Sequence, residues 1–232
     1  MSNGGSPRSV QVRRLLTESA VIVFSVLVAF AVDASWDDFQ ARSSAEEYVR
    51  SVEGELDAIS GRIDRSIRLA RVAEDATMVW LAEAPDLTVD SLNALLGDMV
   101  MWATADLTVP SVRALLSSGA IDLITAPDLR SWIQAFPTEV QDFEEEESGT
   151  IGFIDQTFVP YLAEHGVSLG NSNVLNMDLR GRAPPELVRS LVGDWGFEAL
   201  VVWRATKARD VRESAERLLE VMDQGRRIIA AR

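Results

Sequence analysis

Residues 15–36 read LLTESAVIVFSVLVAFAVDASW, and the rest of the chain is organised around this stretch. No charged side chain occurs in it between Ser19 and Val32. Folded as an α-helix, the stretch would be ~33 Å long, which is close to the hydrocarbon thickness of a bilayer. It is therefore predicted to be a single transmembrane helix.

The charges at the two ends of this stretch predict its orientation. Three basic residues precede it, and three acidic residues lie at its end or just after it: Arg8, Arg13, Arg14, Asp33, Asp37 and Asp38. Because segments rich in basic residues stay on the cytoplasmic side, residues 1–14 are predicted to be a cytoplasmic tail and residues 37–232 an extracytoplasmic domain. A cleaved signal peptide is the alternative, since Ala29-Phe30-Ala31 has the pattern of a cleavage site.

The composition of the chain excludes several kinds of function. The 232 residues include no cysteine and one histidine, and the formal net charge is −14. Without the three basic and two acidic residues of 1–35, the remainder carries −15, a charge that repels phosphate backbones. Nucleic acid is therefore not an expected partner. Disulfide bonds and thiolate metal ligands are impossible, so the fold must rest on packing.

Apolar residues after the apolar stretch recur in steps of three or four, which is the spacing of an amphipathic helix. They are Ala41, Ala45, Val49, Val52, Leu56, Ile59, Ile63, Ile67 and Ala70. No proline occurs between Pro7 and Pro85. One unbroken helix is therefore predicted from the cytoplasmic side to about Trp80.

Shorter helices are predicted to follow, starting near Thr88, Pro110 and Pro127, with Pro137 interrupting the last of them. A second long helix is predicted from about Gly196 to Ala231. The predicted fold is thus all-α: one N-terminal transmembrane helix continuous with a long helix, packed with a long C-terminal helix and several short helices.

The two long helices are expected to pack against each other in antiparallel orientation. This arrangement would return three basic side chains, Arg226, Arg227 and Arg232, towards the membrane surface. Whether they contact lipid, a partner or nothing is left open by the sequence.

Eight residues are candidates for contact with a partner: Glu18, Ser25, Ala29, Asp33, Trp36, Gly54, Ala58 and Gly61. Carboxylates at the membrane boundary often have a protein partner, and small residues four apart allow a second helix to approach closely. The last three residues form a stripe roughly opposite the apolar one. This stripe is either a contact face for another helix or an exposed face on which glycine is tolerated.

Few residues suit catalysis or metal binding. His165 comes just before Gly166, an arrangement typical of a helix end, and glycine-rich nucleotide loops and nucleophile elbows are missing. The acidic run 144–147 lacks the pattern of a calcium loop and is predicted to be a solvated charged face. We therefore expect a protein that is not an enzyme and has no cofactor or metal. A small-molecule ligand is not expected either. The loop 166–185 is the best candidate for a specific contact surface, and a surface loop that binds no ligand is the preferred alternative.

Two segments resemble a known family. The basic tail with LLTESAVIV, AVD and Trp36, followed by the acidic helix that contains Tyr48, is similar to a family of uncharacterised bacterial single-pass membrane proteins. VRALLSSGAIDLI, residues 112–124, followed by Leu129-Arg130, resembles a recurrent segment of the same family. The resemblance covers about residues 10 to 135. It implies a membrane-anchored helical domain, placed in the bacterial inner membrane with a periplasmic C-terminal part, and no established activity.

Two classes of function follow from these observations. The first is an accessory subunit that docks on a larger membrane protein complex, for example a photosynthetic or respiratory one, with other membrane subunits and the lipid bilayer as its partners. The second is an extracytoplasmic ligand-sensing domain. Because only residues 1–14 precede the predicted span, such a sensor would have to signal through a separate partner. The accessory subunit is the preferred hypothesis.

Overall fold

The computed structural model describes residues 7–167 and 184–231; within them, the side chains of 7–22, 34, 37, 38, 41 and 42 lie outside the description. Across these ranges the chain is helical and has no strand, which confirms the predicted all-α class. The seven α-helices are α1 (Pro7–Glu83), α2 (Val89–Met99), α3 (Pro110–Ser117), α4 (Pro127–Phe153), α5 (Val159–Glu164), α6 (Pro185–Ser190) and α7 (Trp195–Ala230). Two 3₁₀ turns (Ala84–Asp86 and Ala120–Leu123) and a π-helical turn (Ile154–Phe158) complete the chain order.

Three long helices, α1, α4 and α7, form the frame of the domain. The ion pairs Asp57–Arg226 and Glu74–Arg209 join α1 to α7, and residue numbers rise along one helix as they fall along the other. The two helices are therefore antiparallel, as predicted. The Trp132 Nε1 donates to the carbonyl of Val221 at 2.8 Å and so joins α4 to the far end of α7.

The apolar stripe of α1 is buried as the sequence predicts. From Ala45 to Ala70, all eight described members of the predicted stripe are buried; the ninth, Ala41, lies outside the described side chains. One apolar cluster joins this stripe to α3, α4 and the second half of α7. A second cluster lies around Trp80 and Phe197, whose rings meet edge to face at 5.1 Å, and it includes α2 and α6.

Most of the predicted helix boundaries are confirmed. Thr88 caps α2 by accepting a hydrogen bond from the Ser91 amide, and Pro110 and Pro127 each occupy the first turn of a helix. After α5 the chain turns through Gly166, whose φ is +73°, a conformation that suits glycine. The C-terminal helix begins at Trp195, one residue from the predicted start.

The prediction that Pro137 interrupts a helix is wrong. Helix α4 runs from Pro127 to Phe153 with Pro137 inside it. Proline lacks the amide that would donate to the carbonyl four residues earlier, but it does not prevent helical φ. Phe136, Val140 and Phe143 are buried on both sides of it, so packing of the helix against the core outweighs the lost hydrogen bond.

Among the residues described, no helix combines the length and apolar character required to cross a membrane. The predicted span is part of α1, and its residues 15–22 and 34 lie outside the described side chains.

Candidate functional site

The predicted partner-contact residues of the apolar stretch lie on the part of α1 that precedes the domain. Ser25, Ala29, Asp33 and Trp36 are exposed, and the side chain of Glu18 lies outside the description. Every described side chain from residue 23 to 44 is exposed, and the first buried one is Ala45. This segment, residues 23–44, therefore continues the axis of a core helix without covering any of the core itself.

The small-residue stripe lies on the outer face of α1. Gly54, Ala58 and Gly61 are all exposed. A methyl group added to Gly54 or to Gly61 would meet no other atom within 4 Å. Close approach of another helix of the described chain to these residues is therefore ruled out. The stripe is an exposed face, and its role as a contact for a partner stays a prediction.

The most constrained polar region surrounds the connector, residues 100–109, which joins α2 to α3. Arg204 of α7 is 1% exposed, and its guanidinium donates from Nε to the Met99 carbonyl at 2.6 Å and from Nη2 to the Met101 carbonyl at 3.0 Å. Arg62 of α1 donates to the carbonyl of Asp106 at 2.8 Å. The connector is thus held by side chains from two different helices of the frame.

Glu147 holds the same connector from α4. It is 8% exposed, and its carboxylate accepts from the Ala105 amide at 2.9 Å and from the Ser66 hydroxyl at 3.3 Å. The prediction that the acidic run 144–147 is entirely solvated is therefore wrong for its last member. Glu147 follows Val140 and Phe143 by seven and four residues, so it lies on the buried face of the helix.

Burial is the main cause of the pKa shifts of Glu147 and Arg204. Burial raises the pKa of Glu147 above 4.5, against the lowering effect of the hydrogen bonds from Ala105 and Ser66. The charges of Asp106 and Glu144 raise it further. Burial also lowers the pKa of Arg204, to about 10, so this side chain stays charged at neutral pH.

A small cavity of about 20 Å³ lies between α1, α4, α7 and the connector. Its lining includes Ser66, Glu147 and Arg204 together with apolar side chains. The Nη1 atom of Arg204 is buried and has no hydrogen-bond partner among the described protein atoms. Arg204 and Glu147 are therefore two buried charged residues that line the same cavity.

The single histidine lies in a second polar cluster, at the start of α7. The Tyr161 hydroxyl donates to the Asp194 carboxylate at 2.6 Å, and that carboxylate also accepts from the Phe197 amide at 2.7 Å. His165 stacks on Tyr161, with ring centroids 4.2 Å apart, and its Nδ1 lies 2.8 Å from the Tyr161 carbonyl. The hydrogen bond to Asp194 is the main reason why the pKa of Tyr161 rises to about 12. The cluster caps two helix ends, because Asp194 accepts from the first turn of α7 and His165 ends α5.

Of the three C-terminal basic residues that were predicted to return towards the membrane surface, Arg226 is bound within the domain. Arg226 is engaged by α1, with Asp57 at 3.2 Å and the Leu56 carbonyl at 3.1 Å. Asp57 comes 21 residues after Trp36, which is ~32 Å along the helix. Arg226 is therefore committed to the domain rather than to a surface at the level of Trp36. Arg227 is exposed, and Arg232 lies outside the described residues.

The loop predicted as the best contact surface, residues 166–185, lies largely outside the description, because residues 168–183 are not described. Sequence reasoning did not single out Glu147, Arg204 or Ser66. A usable signal existed for two of them: Arg204 follows Val201 by three residues and precedes Ala208 by four, on the apolar face, just as Glu147 does on its helix. A charged residue at a core position indicates a buried polar contact.

In the ranges 7–167 and 184–231, no three histidine, cysteine, aspartate or glutamate side chains come together as a metal site. No protein-family model matches the chain, and no curated protein and no solved structure is significantly similar to it.

Proposed function

We propose that the chain is a membrane-anchored helical protein of bacterial origin that serves as a non-enzymatic accessory subunit of a larger membrane complex. In this proposal the first part of α1 crosses the inner membrane with the N-terminus in the cytoplasm, and the domain lies in the periplasm. The family resemblance of residues 10 to 135 belongs to the same proposal.

The observation that carries the proposal is the exposure of apolar side chains around segment 23–44. Seven large apolar residues between 23 and 32 are exposed: Val23, Phe24, Val26, Leu27, Val28, Phe30 and Val32. They point in all directions around the helix, since neighbours in the sequence are ~100° apart. A helix that is apolar on every side requires apolar surroundings, and the described domain does not supply them. A bilayer supplies them, with subunit contacts at Ser25 and Ala29.

Two features favour a structural role over chemistry. The titratable clusters around Glu147 and Asp194 serve to hold the connector and a helix start. Other charged side chains of the domain form ion pairs between helices, such as the one from Glu74 to Arg212 at 3.0 Å. These contacts stiffen a helical body at the end of a long helix, which suits a protein that covers or clamps its partner.

Membrane insertion is tested by placing a charge in the apolar segment. Leu27→Arg puts a cation in the middle of the span, which costs about 2.5–3.5 kcal/mol for insertion. We expect the variant to leave the membrane fraction after alkaline extraction, while the unchanged chain remains in it. Trp203→Arg is the matched control. Trp203 is 59% exposed and Leu27 is 60% exposed, but Trp203 lies in the domain, on α7, and Leu27 lies in the predicted span. Equal extraction of Leu27→Arg and the unchanged chain would contradict the proposed anchor.

The accessory role needs a second experiment, which is purification of the tagged full chain in mild detergent. We expect a complex of fixed stoichiometry that survives sizing and that loses this chain when Ala29 is replaced by leucine. A chain that stays in the membrane but runs alone would contradict the accessory role and leave the anchor intact. In that case the sensing alternative becomes the hypothesis to test.

A further inference from the structure

An apolar face on the outer side of α7 is uncovered in the described part of the chain. This α7 outer face consists of five exposed residues over the first three turns of the helix: Trp195, Ala199, Val202, Trp203 and Thr206. Trp195 is 84% exposed, Trp203 59% and Val202 50%. The buried residues of the same turns, such as Phe197 and Val201, lie on the opposite side of the helix. Neither apolar cluster of the domain includes a member of this face.

The apolar surface of the α7 outer face is as large as that of a protein interface. An aromatic side chain has ~150–250 Å² to bury, so the exposed parts of the two tryptophans and Val202 amount to roughly 400 Å². Patches of about 300–600 Å² are the largest on typical monomers and are often functional. Interfaces are ~57% apolar, so a contact centred on this face would bury about 700 Å² on each partner, or ~1,400 Å² in total. That total falls within the range of specific complexes, about 1,200–2,000 Å².

The charges beside the face favour a second copy of the chain as the partner. Arg209 follows Val202 by seven residues, so it lies on the same flank of the face, and its side chain is 51% exposed although its Nε donates to Glu74. Asp210 follows Trp203 by seven residues and lies on the other flank. In a parallel pair related by a two-fold axis, each flank of one α7 meets the opposite flank of the other at the same level. Arg209 of each copy then lies beside Asp210 of the other, which gives two pairs of opposite charge.

The charge and the topology of the chain limit how two copies can pair. The net charge of −14 opposes their association, so the contact depends on the apolar face and on the local charge pairs. Helix α1 is antiparallel to α7 and continues into the predicted span. Two copies anchored in one bilayer therefore have parallel α7 helices. This orientation, unlike the contact itself, rests on the proposed membrane anchor.

We propose that two copies of the chain pair through the α7 outer face, as parallel helices related by a two-fold axis that runs along them. Trp195 and Val202, near the centre of the face, each lie against the same residue of the other copy. The proposed accessory subunit then enters its complex as a pair and contributes two spans to the bilayer.

The absence of cysteine from the chain makes this contact testable by cross-linking. Ala199 and Thr206 are small, exposed members of the face, and each lies beside itself in a parallel pair. We expect Ala199→Cys and Thr206→Cys, oxidised as the full chain in membranes, each to form a disulfide-linked dimer. The matched control is Ala135→Cys, at an exposed position of α4, which should stay monomeric. No linked dimer at either position of the face, or equal linking of Ala135→Cys, would overturn the proposal.

The two positions together test the orientation. Thr206 follows Ala199 by seven residues, which is ~10 Å along the helix. An antiparallel pair that brought one position beside itself would separate the two copies of the other by ~21 Å, a distance that no disulfide spans. Linking at one position alone would therefore overturn the parallel arrangement. Linked dimers that leave the membrane on alkaline extraction would support the contact and refute the membrane anchor.

A further variant disrupts the contact and leaves the core intact. Val202→Asp places two carboxylates against each other near the centre of the face, and Val202 belongs to neither apolar cluster. We expect the protein mass of the full chain in mild detergent, measured by light scattering, to fall twofold while circular dichroism shows the same helix content. The substitution should also abolish the linking of Ala199→Cys. A chain that is monomeric without any substitution, or a Val202→Asp variant that stays dimeric, would overturn the proposal.

Discussion

Replacing Gly225 by alanine should weaken the fold, although alanine is the better helix former. Gly225 lies in α7 directly beneath the ring of Trp132. A methyl group at this position would lie 3.0 Å from the ring atom Cη2 and closer still to Cζ2 and Cε2. The ring cannot easily withdraw, because it stacks on Phe136 with centroids 4.8 Å apart and donates to the Val221 carbonyl.

The expected magnitude combines three terms. Overpacking of a filled core costs about 1–3 kcal/mol. Displacement of the Trp132 ring would also lose its hydrogen bond to Val221, worth about 1 kcal/mol. The higher helix propensity of alanine returns up to ~1 kcal/mol. We therefore expect Gly225→Ala to lower the free energy of unfolding by about 1–3 kcal/mol.

The matched control is the same substitution at Gly61, where added atoms meet nothing within 4 Å. There only the propensity term acts, so Gly61→Ala should raise the free energy of unfolding by about 0.5–1 kcal/mol. Urea unfolding of the purified full chain, followed by tryptophan fluorescence, measures both variants. A Gly225→Ala variant as stable as the unchanged chain would refute the packing of Trp132 against α7. Destabilisation by Gly61→Ala in the isolated protein would show that the stripe is not an open face.

Three further predictions concern ionisable groups. Burial in the folded state raises the pKa of Glu147, so the protonated carboxyl favours folding. This contribution is complete below pH 4.5 and is lost as the pH rises through the folded pKa. Urea unfolding at several pH values should therefore show Glu147→Gln gaining stability relative to the unchanged chain as the pH rises. Burial tends to raise the pKa of Glu74, but hydrogen bonds from Arg209 and Arg212 outweigh it and lower the pKa, so Glu74 stabilises the fold above pH 4.5 and ceases to do so as pH falls through the folded value. Glu74→Gln should accordingly unfold at a lower temperature at neutral pH and at the same temperature in strong acid; an equal deficit at both would contradict the ion pairs. Asp194→Asn can still cap α7 but removes the charge that the Tyr161 hydroxyl meets, so the pKa of Tyr161 should fall from about 12 towards 10 in a titration of phenolate absorbance, and an unchanged value would rule out the hydrogen bond as its cause.

The long helices of this fold could be predicted from the sequence because their signal is strong and repeated. The apolar stripe of α1 continues for many turns without proline, so one misassigned residue does not change the helix prediction. The antiparallel partner, α7, also has apolar residues at helical spacing and no proline. Helix starts at Thr88 and Pro110 were predictable for a local reason, since capping and the geometry of proline depend on neighbouring residues alone. Pro137 was misjudged because its local penalty is outweighed by buried side chains of α4, which only the tertiary structure reveals.

The buried polar contacts could not be predicted to the same degree. Glu147 and Arg204 occupy core positions of their helices, so their burial could be inferred from spacing. Most of their partners are backbone groups in or beside the connector. Because nearly every residue has the same backbone amide and carbonyl, the sequence does not indicate which of them a side chain will bind. The pairing of Arg226 with Asp57 could not be predicted for a related reason. Antiparallel packing was foreseen, but the register of α7 against α1 depends on tertiary contacts such as Asp57–Arg226 and Glu74–Arg209.

The continuity of α1 fixes the rotational phase between segment 23–44 and the domain. No joint separates the two, so each residue inserted between Trp36 and Ala45 would turn the domain by ~100° about the helix axis and lift it by ~1.5 Å. An insertion of two residues would present nearly the opposite face of the domain to any neighbour that Ser25 and Ala29 contact. An insertion of seven would raise the domain by ~10 Å and restore its facing to within ~20°. A partner that contacts both segment 23–44 and the domain should therefore still bind a chain with seven inserted residues far better than a chain with two.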